Sequence, residues 1–180
     1  AGIVHRLDKD TSGTMVVAKT EVSYLNLVGQ LKERTVKREY LALVVGQPVS
    51  GGVINRPIGR HPKHRTKQAV VESGKEAITD YKIKEKLHGY SLLLASLKTG
   101  RTHQIRVHFS SKDFPIVGDP LYGGKRKFAP GTSEDLKKEI SELNRQALHA
   151  YSLSFIHPVD QNIITNTAPM PNDMKKLIKN

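Results

Sequence analysis

The sequence predicts an α+β fold in which a mixed, mostly antiparallel sheet is flanked by helices. Runs rich in apolar and β-forming residues, bounded by glycine, proline and other turn residues, recur along the 180 residues of the chain. Segments with apolar residues at the spacing of a helix are fewer. A chain of this length buries roughly 70% of the surface that its unfolded form exposes. One domain, residues 1–180, is therefore the expected organisation.

The predicted strands begin at the N-terminus, where apolar residues 3–4 and 15–18 flank a polar loop. Residues 39–45 are rich in apolar residues and stop at a Gly-Gln-Pro turn, which indicates a buried strand. A turn at His88-Gly89 joins residues 78–84 and 90–97 into a predicted hairpin. The remaining predicted strands are 68–72, 148–156 and 163–167. We expect the strand at 68–72 to belong to the same antiparallel-rich sheet.

The first predicted helix covers residues 21–34. Thr20 is a plausible N-cap, and Leu25, Val28 and Leu31 recur at helical spacing. This pattern predicts an amphipathic helix whose face formed by those three residues packs on the sheet. Further helices are predicted at 103–111, after Ser133 and from Pro171.

The helix at 103–111 places Ile105 and Phe109 on one face and His103 and Arg106 on another. Because Arg106 stands between Ile105 and Val107, we expect its guanidinium to be partly buried. A buried guanidinium needs an anionic partner. That partner is either a catalytic carboxylate or any acid that forms a structural ion pair.

The polar loop between the first two predicted strands contains Asp8, with His5 and Arg6 before it and Lys9 after it. Flanking cations favour the ionised form of a carboxylate, which then can act as a nucleophile or a base. The alternative is an ordinary polar turn with Asp10 as an Asx cap.

The chain is strongly basic, with 29 Lys and Arg residues against 17 Asp and Glu, a net charge of +12 and a pI of about 9.9. Such an excess points to a polyanionic partner, and nucleic acid is the leading candidate. The alternative is a basic surface without a partner. Residues 55–68 are predicted to form an exposed basic loop that contacts RNA phosphates. A second cationic stretch, residues 125–127, is predicted to contact phosphates as well. The residues assigned to these contacts are Arg60, Lys63, Arg65, Lys67, Lys125 and Arg126.

Several classes of site are disfavoured by composition. The chain has no cysteine, which excludes a disulfide framework, a thiolate nucleophile and cysteine-bound zinc and suits a reducing compartment. No apolar run approaches the length needed to cross a bilayer, so we expect a cytoplasmic protein. His61 and His64 lack the further ligands that a metal site needs, and no cofactor is expected. A serine triad, a Gly-rich phosphate loop and paired glycosidase carboxylates are also missing.

Five motifs in this order resemble those of the RluA-type pseudouridine synthases. They are His5-Arg6-Leu7-Asp8-Lys9-Asp10-Thr11-Ser12-Gly13, Arg38-Glu39-Tyr40-Leu41-Ala42, Gly100-Arg101-Thr102-His103-Gln104-Ile105-Arg106-Val107-His108, Gly118-Asp119-Pro120-Leu121-Tyr122-Gly123 and Arg145-Gln146-Ala147-Leu148-His149-Ala150. The resemblance covers nearly the whole chain. Residues 60–62 and 168–174 fit the RluD-like branch, which modifies large-subunit ribosomal RNA.

This resemblance implies roles for several residues. Asp8 matches the family's essential aspartate, and Arg106 matches the arginine paired with it. Tyr40 matches the tyrosine that stacks on the uracil, and a part for it in removing the C5 proton stays open. Leu148 matches an apolar wall of the pocket, and Arg6 matches the arginine that fills the space of the flipped nucleotide. Whether the carboxylate attacks ribose or uracil stays open. Arg101 and His103 are assigned to RNA binding, and no metal or organic cofactor is implied.

The chain begins in mid-motif without methionine, whereas members of the resembled family carry residues before this point. We therefore expect an N-terminally truncated catalytic domain, monomeric, with ribosomal RNA as its partner. Two other functions stay open. One is a non-catalytic RNA-binding fragment. The other is a phosphatase of the haloacid-dehalogenase type, since Asp8 to Ser12 also match its DxDx[TS] opening, although the acidic pair that this class needs downstream is missing.

Overall fold

The computed structural model describes residues 2–124 and 128–179. The predicted phosphate contacts at Lys125 and Arg126 lie outside the described residues. None of the helices in the described ranges is long and apolar enough to cross a membrane.

The described residues form eleven strands and four helices. The strands are β1 Gly2–Ile3, β2 Ser12–Gly13, β3 Val17–Ala18, β4 Lys37–Val45, β5 Gly52–Asn55, β6 Ile58–Arg60, β7 Gln68–Val70, β8 Ile78–Lys86, β9 Tyr90–Leu97, β10 Leu148–Ile156 and β11 Ile163–Thr167. The helices are α1 Glu21–Lys32, α2 Gln104–Ser110, α3 Glu134–Glu142 and α4 Asn172–Lys179.

The main sheet confirms the predicted α+β class. Its strand order is β11-β10-β4-β9-β8-β5, and all of these neighbours run antiparallel. The short strand β2 adds a parallel pairing to β10, which makes the sheet mixed. Strand β4 lies in the interior of the sheet, and every residue from Tyr40 to Val45 is buried. The side chains of α2 that were expected to face the core, Ile105 and Phe109, are buried in it.

Two predictions around residues 55–72 are wrong in part. The segment 55–68 is not one exposed loop, because Ile58–Arg60 forms β6 and pairs antiparallel with β7. The strand predicted at 68–72 is the shorter β7, and it belongs to this separate two-stranded sheet instead of the main one. Ile58 is buried and anchors the hairpin, so the local apolar contact outweighs the polar character of its surroundings. Residues 62–66, at the tip, are exposed, and Lys67 beside them is half-buried.

The predicted packing face of α1 is also wrong. Thr20 caps the helix as expected, but Leu25 is 62% exposed and Val28 37% exposed. The buried residues are Leu27 and Gln30. The amide of Gln30 donates to the carbonyl of Ile156 at 2.7 Å and accepts from its backbone N–H at 2.9 Å. The helix therefore docks on β10 partly through a polar side chain, which apolar spacing cannot reveal.

A close backbone approach brings the Asp8 loop to the sheet. Gly13 has φ +120°, and a Cβ at this position would lie 2.1 Å from the carbonyl oxygen of Ala150. Only glycine fits both the positive φ and this distance. Strand β2 can therefore lie directly beside β10, with Ser12 opposite His149 and Gly13 opposite Ala150.

Candidate active site

A cleft of about 490 Å³ opens where the Asp8 loop, β4, β10 and the start of α2 meet. Asp8 is the only carboxylate among the described residues that line it. Tyr40 contributes from β4 and Leu148 from β10. The cationic residues on its walls are Arg6, Lys32, Arg34, Arg38, Lys98 and Arg101. The cleft thus combines one acid with a strongly positive surround, which suits an anionic substrate.

Arg106 lies between two carboxylates. Its Nε and Nη2 donate to the two oxygens of Asp119 at 2.8 and 2.9 Å, a bidentate pair. Its Nη1 lies 3.3 Å from Oδ2 of Asp8. The side chains of Arg106 and Asp119 are 4% and 0% exposed, whereas that of Asp8 is 19% exposed. Asp119 is therefore the structural partner of Arg106. Asp8 contacts the remaining nitrogen, Nη1, and faces the cleft.

Arg106 contacts Asp8 as expected, but it also pairs with a second acid, Asp119. Burial alone lowers the pKa of the Arg106 guanidinium, but the hydrogen bonds and charges of Asp119 and Asp8 outweigh it, and the net direction is upward. The guanidinium is thus fixed as a cation beside Asp8.

Backbone N–H groups of its own loop hold the Asp119 carboxylate in place. Its Oδ1 accepts the backbone N–H groups of Leu121 and Tyr122 at 2.9 and 3.0 Å. With the two arginine contacts, this carboxylate accepts four hydrogen bonds. The sequence GDPLYG thus folds as a turn around an acid whose role is to orient Arg106.

Tyr122 connects this ion-pair cluster to the basic hairpin. The Arg106 guanidinium lies 5.1 Å from the centre of its ring, a cation–π contact. Its hydroxyl accepts the backbone N–H of Gln68 at 2.8 Å and lies 2.8 Å from Nδ1 of His103. His103, the N-cap residue of α2, has φ 56°, so the helix begins one residue later than predicted. Burial lowers the pKa of His103, which favours a neutral imidazole in this contact.

Tyr40 and Leu148 form the apolar wall of the cleft. They are 7% and 3% exposed and come from adjacent strands, where Tyr40 pairs with Ala150 and Leu148 with Ala42. Burial raises the pKa of the Tyr40 hydroxyl, with the Asp8 charge adding to this and the Arg38 charge opposing it. The hydroxyl is thus protonated at neutral pH.

The backbone of the Asp8 loop is held from behind by Gln146 and Arg145. The Gln146 amide, 1% exposed, donates to the carbonyl of Lys9 at 2.7 Å and to the Thr11 hydroxyl at 2.9 Å. Arg145 forms a bidentate pair with Asp173 of α4 and donates to the carbonyl of Asp10 at 3.5 Å. These contacts fix the loop on the sheet independently of the cleft side.

We expect Gln146→Leu to lower the free energy of unfolding by about 1–3 kcal/mol, because the carbonyl of Lys9 and the hydroxyl of Thr11 lose the two hydrogen bonds from the buried Gln146 amide. Urea unfolding measures the change. Gln47→Leu is the matched control, since Gln47 is exposed and donates only to the carbonyl of Leu87, and its effect should stay within about 0.5 kcal/mol. Equal losses in the two variants would show that Gln146 does not hold the loop.

The remaining predicted residues lie around the cleft or on the hairpin. Arg6 is exposed at the cleft, and Arg101 lines it while its Nε donates to the carbonyl of Glu76 at 2.9 Å. Asp10 is exposed with φ 66°, and the structure gives its side chain no capping hydrogen bond among the described residues. Arg60, Lys63, Arg65 and Lys67 belong to the β6–β7 hairpin and its tip.

Sequence reasoning missed Asp119, Tyr122, Gln146 and Arg38 as parts of the site. Asp119 belongs to one of the five motifs, but the sequence gives it no role of its own. Its carboxylate is occupied by Arg106. The described residues contain no group of three or more His, Asp or Glu side chains that could hold a metal ion. The sequence signal that points to Asp119 is Arg106. A buried arginine beside a carboxylate that faces a cleft needs a second, buried acid as its partner.

The fold and the site define an α+β domain with a single arginine-held aspartate in a basic cleft. The sequence model described as RNA pseudouridylate synthase matches residues 1–111. The chain is 51% identical over 178 residues to ribosomal large subunit pseudouridine synthase D of Xanthomonas campestris, covering 99% of this chain and 54% of that protein. It is 47% identical over 179 residues to the protein of the same name from Escherichia coli, covering 99% and 55%.

Solved structures are similar as well. Human RNA pseudouridylate synthase domain containing 1 superposes with a TM-score of 0.75 at 29% identity, covering 93% of this chain and 68% of that one. Human RNA pseudouridylate synthase domain containing 4 gives 0.77 at 26% identity, covering 99% and 76%. The chain belongs to the RNA pseudouridylate synthase family. It spans about half the length of the curated relatives that it matches.

Proposed function

We propose that this chain is the catalytic domain of a pseudouridine synthase, an isomerase that converts specific uridines of large-subunit ribosomal RNA to pseudouridine. The observation that carries the proposal is the position of Asp8. It is the only cleft carboxylate among the described residues, it is partly exposed, and Arg106 contacts it at 3.3 Å from a guanidinium that Asp119 holds. The names of the curated relatives support large-subunit ribosomal RNA as the substrate.

In this reaction the bond between C1′ of the ribose and N1 of the uracil breaks. The uracil turns, a bond forms between C1′ and C5, the proton on C5 leaves, and N1 ends with a proton. No atom is added or lost, so the reaction balances without a co-substrate. Asp8 is the proposed nucleophile toward ribose or uracil, and Arg106 is proposed to hold its carboxylate in position.

Tyr40 and Leu148 are the proposed walls of the uracil pocket. A buried aromatic ring beside the carboxylate provides a stacking surface for a base taken out of its helix. Because burial raises the pKa of the Tyr40 hydroxyl, this residue favours stacking over action as a phenolate base. Arg6, exposed at the cleft, is proposed to occupy the space of the flipped nucleotide.

The proposed RNA contacts extend from the cleft to the hairpin. Arg101 lies at the cleft, His103 lies beside Tyr122, and Arg60 starts the hairpin turn. We assign Lys125 and Arg126 to the same interface from the sequence. We further propose a monomer that acts in the cytoplasm, where its ribosomal RNA substrate is assembled, and that the chain is one part of a longer protein.

A tritium-release assay tests the activity. Large-subunit RNA transcribed with uridine labelled at C5 is incubated with the protein, and label released to water is counted. The proposal predicts release that depends on the protein. Binding of the transcript without release would instead support the non-catalytic RNA-binding function.

We expect Lys63→Ala, Arg65→Ala and Lys67→Ala together to weaken RNA binding and to flatten its dependence on salt. Each lost phosphate contact reduces the slope of log affinity against log salt by roughly 0.7–0.9. Filter binding at several salt concentrations measures this slope. The matched control replaces Lys82, Lys84 and Lys86 by Ala. These lysines are exposed on β8, and their replacement removes the same number of positive charges. If both triple variants change the slope equally, the hairpin is not a specific contact.

A further inference from the structure

Arg38 is a half-buried cation that the proposed reaction does not yet use. It precedes Tyr40 by two residues on β4, so both side chains lie on the same face of the strand, with Cα atoms about 6.6 Å apart. Both residues line the cleft. Tyr40 is the proposed stacking surface for the uracil. Arg38 is therefore the next residue along the same face of β4 from the proposed position of the base.

One nitrogen of the Arg38 guanidinium, Nε, is not satisfied by the described part of the protein. Its Nε is buried and has no hydrogen-bond partner among the described residues. The ion pairs in the described ranges give it no carboxylate either, although its cleft neighbours Arg34 and Lys98 pair with Glu76 and Asp80. A buried N–H group without a hydrogen-bond partner is unfavourable, because it has lost its contact with water and gained no acceptor in return. A position of this kind calls for an anion supplied from outside.

The neighbours of Arg38 make an anionic ligand the matching one. The cleft lining contains five other Lys and Arg residues, and its single described carboxylate, Asp8, already contacts Arg106. Arg38 also lowers the pKa of His5, secondary to burial, so this nearby histidine is favoured in its neutral form. The cleft offers Arg38 no anion of its own.

Gly100 leaves room for the guanidinium. A Cβ added to Gly100 would lie 2.6 Å from Nη1 of Arg38, so any larger residue would push the guanidinium aside. Gly100 does not have a positive φ, and alanine is therefore compatible with its backbone. The position of the Arg38 head group can thus be altered without changing any charge.

We propose that Arg38 binds a phosphodiester group flanking the uridine whose base stacks on Tyr40. This inference rests on the proposed function and adds to it a specific contact for the target nucleotide. Phosphates are the anions of RNA, and the planar guanidinium matches their oxygen pairs. The contact gives the buried Nε of Arg38 an acceptor only when substrate is bound.

The test combines protein variants with RNA in which one phosphate is neutral. Two RNAs carry a methylphosphonate, at the linkage on either side of the uridine that the wild-type protein modifies. We expect Arg38→Gln to weaken binding of unmodified RNA by roughly 10- to 100-fold, the loss of a charged hydrogen bond. With one of the two methylphosphonate RNAs, wild type and Arg38→Gln should bind equally. Equal weakening with all three RNAs, or none, would overturn the proposal.

Gly100→Ala provides an independent arm, because it moves the guanidinium while keeping its charge. We expect it to weaken binding in the same direction as Arg38→Gln. Gly29→Ala in α1 is the matched control, since nothing lies within 4 Å of its added Cβ. If Gly100→Ala binds like Gly29→Ala, the position of the guanidinium is unimportant and the proposal fails.

Thermal unfolding separates a binding role from a structural one. Because the described residues give the buried Nε of Arg38 no hydrogen-bond partner, Arg38→Gln should leave the melting temperature unchanged or higher. A structural Arg38 would lower it, which would contradict the inference. Tritium release by the wild-type protein is measured alongside. If the wild type releases none, the proposed function fails, whereas release without the phosphate-specific effect of Arg38 refutes this inference alone.

Discussion

Asp8→Asn should reduce turnover below detection while the protein stays folded and binds RNA at least as well as before. The substitution keeps the size and shape of the side chain but removes the anion that is proposed to attack. Arg106 retains both hydrogen bonds from its fork to Asp119, so the buried cation is still paired. Single-turnover tritium release measures the loss, and filter binding measures affinity.

Asp10→Asn is the matched control for this experiment. Asp10 lies two residues away in the same loop, but it is exposed, and its φ of 66° is one that asparagine also adopts readily. We expect it to keep most of the activity. Substantial turnover by Asp8→Asn, or a dead Asp10→Asn, would mean that the catalytic residue has been misassigned.

Asp119→Ala should be the most destabilising single substitution in the site. Its side chain is 0% exposed and accepts four hydrogen bonds, two of them from Arg106. Removing one partner of a buried ion pair typically costs about 3–5 kcal/mol. The loss of the fork should also free Arg106 to turn toward Asp8, so turnover should fall even where the protein is folded. Urea unfolding and single-turnover kinetics measure the two effects.

The chain contains a matched pair for comparison. Arg145 and Asp173 also form a bidentate pair, with both distances at 2.8 Å, but Asp173 is 43% exposed. Since exposed ion pairs contribute about 0–1 kcal/mol, Asp173→Ala should cost far less than Asp119→Ala. Similar costs at Asp119 and Asp173 would contradict this account of the site.

Arg106→Lys should resemble Asp8→Asn in activity, because lysine keeps the charge but cannot span both carboxylates.

The strands were predictable because their signals are local. Residues 148–156 and 163–167 were expected as strands and form β10 and β11 with the same bounds. Apolar content and flanking turns decide such segments. The face of α1 was not predictable in this way, because Gln30 docks through hydrogen bonds to Ile156, which lies far away in the sequence. The β6–β7 hairpin escaped prediction because one buried residue, Ile58, supports it.

The site was predictable to the extent that one residue demands another. A buried Arg106 requires an anion, and that requirement followed from its apolar neighbours. The sequence could not tell which acid would fill the fork, because Asp8 and Asp119 reach Arg106 from separate loops that only the folded chain brings together. Arg38 carried no local signal, since its lack of a partner is a property of the whole cleft.

The most direct test of the central claim is a modification map of large-subunit ribosomal RNA. Unmodified RNA is treated with the wild-type protein, with Asp8→Asn or with Asp10→Asn, and pseudouridines are located by carbodiimide labelling and primer extension. The account predicts the same few defined positions with wild type and Asp10→Asn and none with Asp8→Asn. Absence of pseudouridine with the wild type, or its formation by Asp8→Asn, would contradict it.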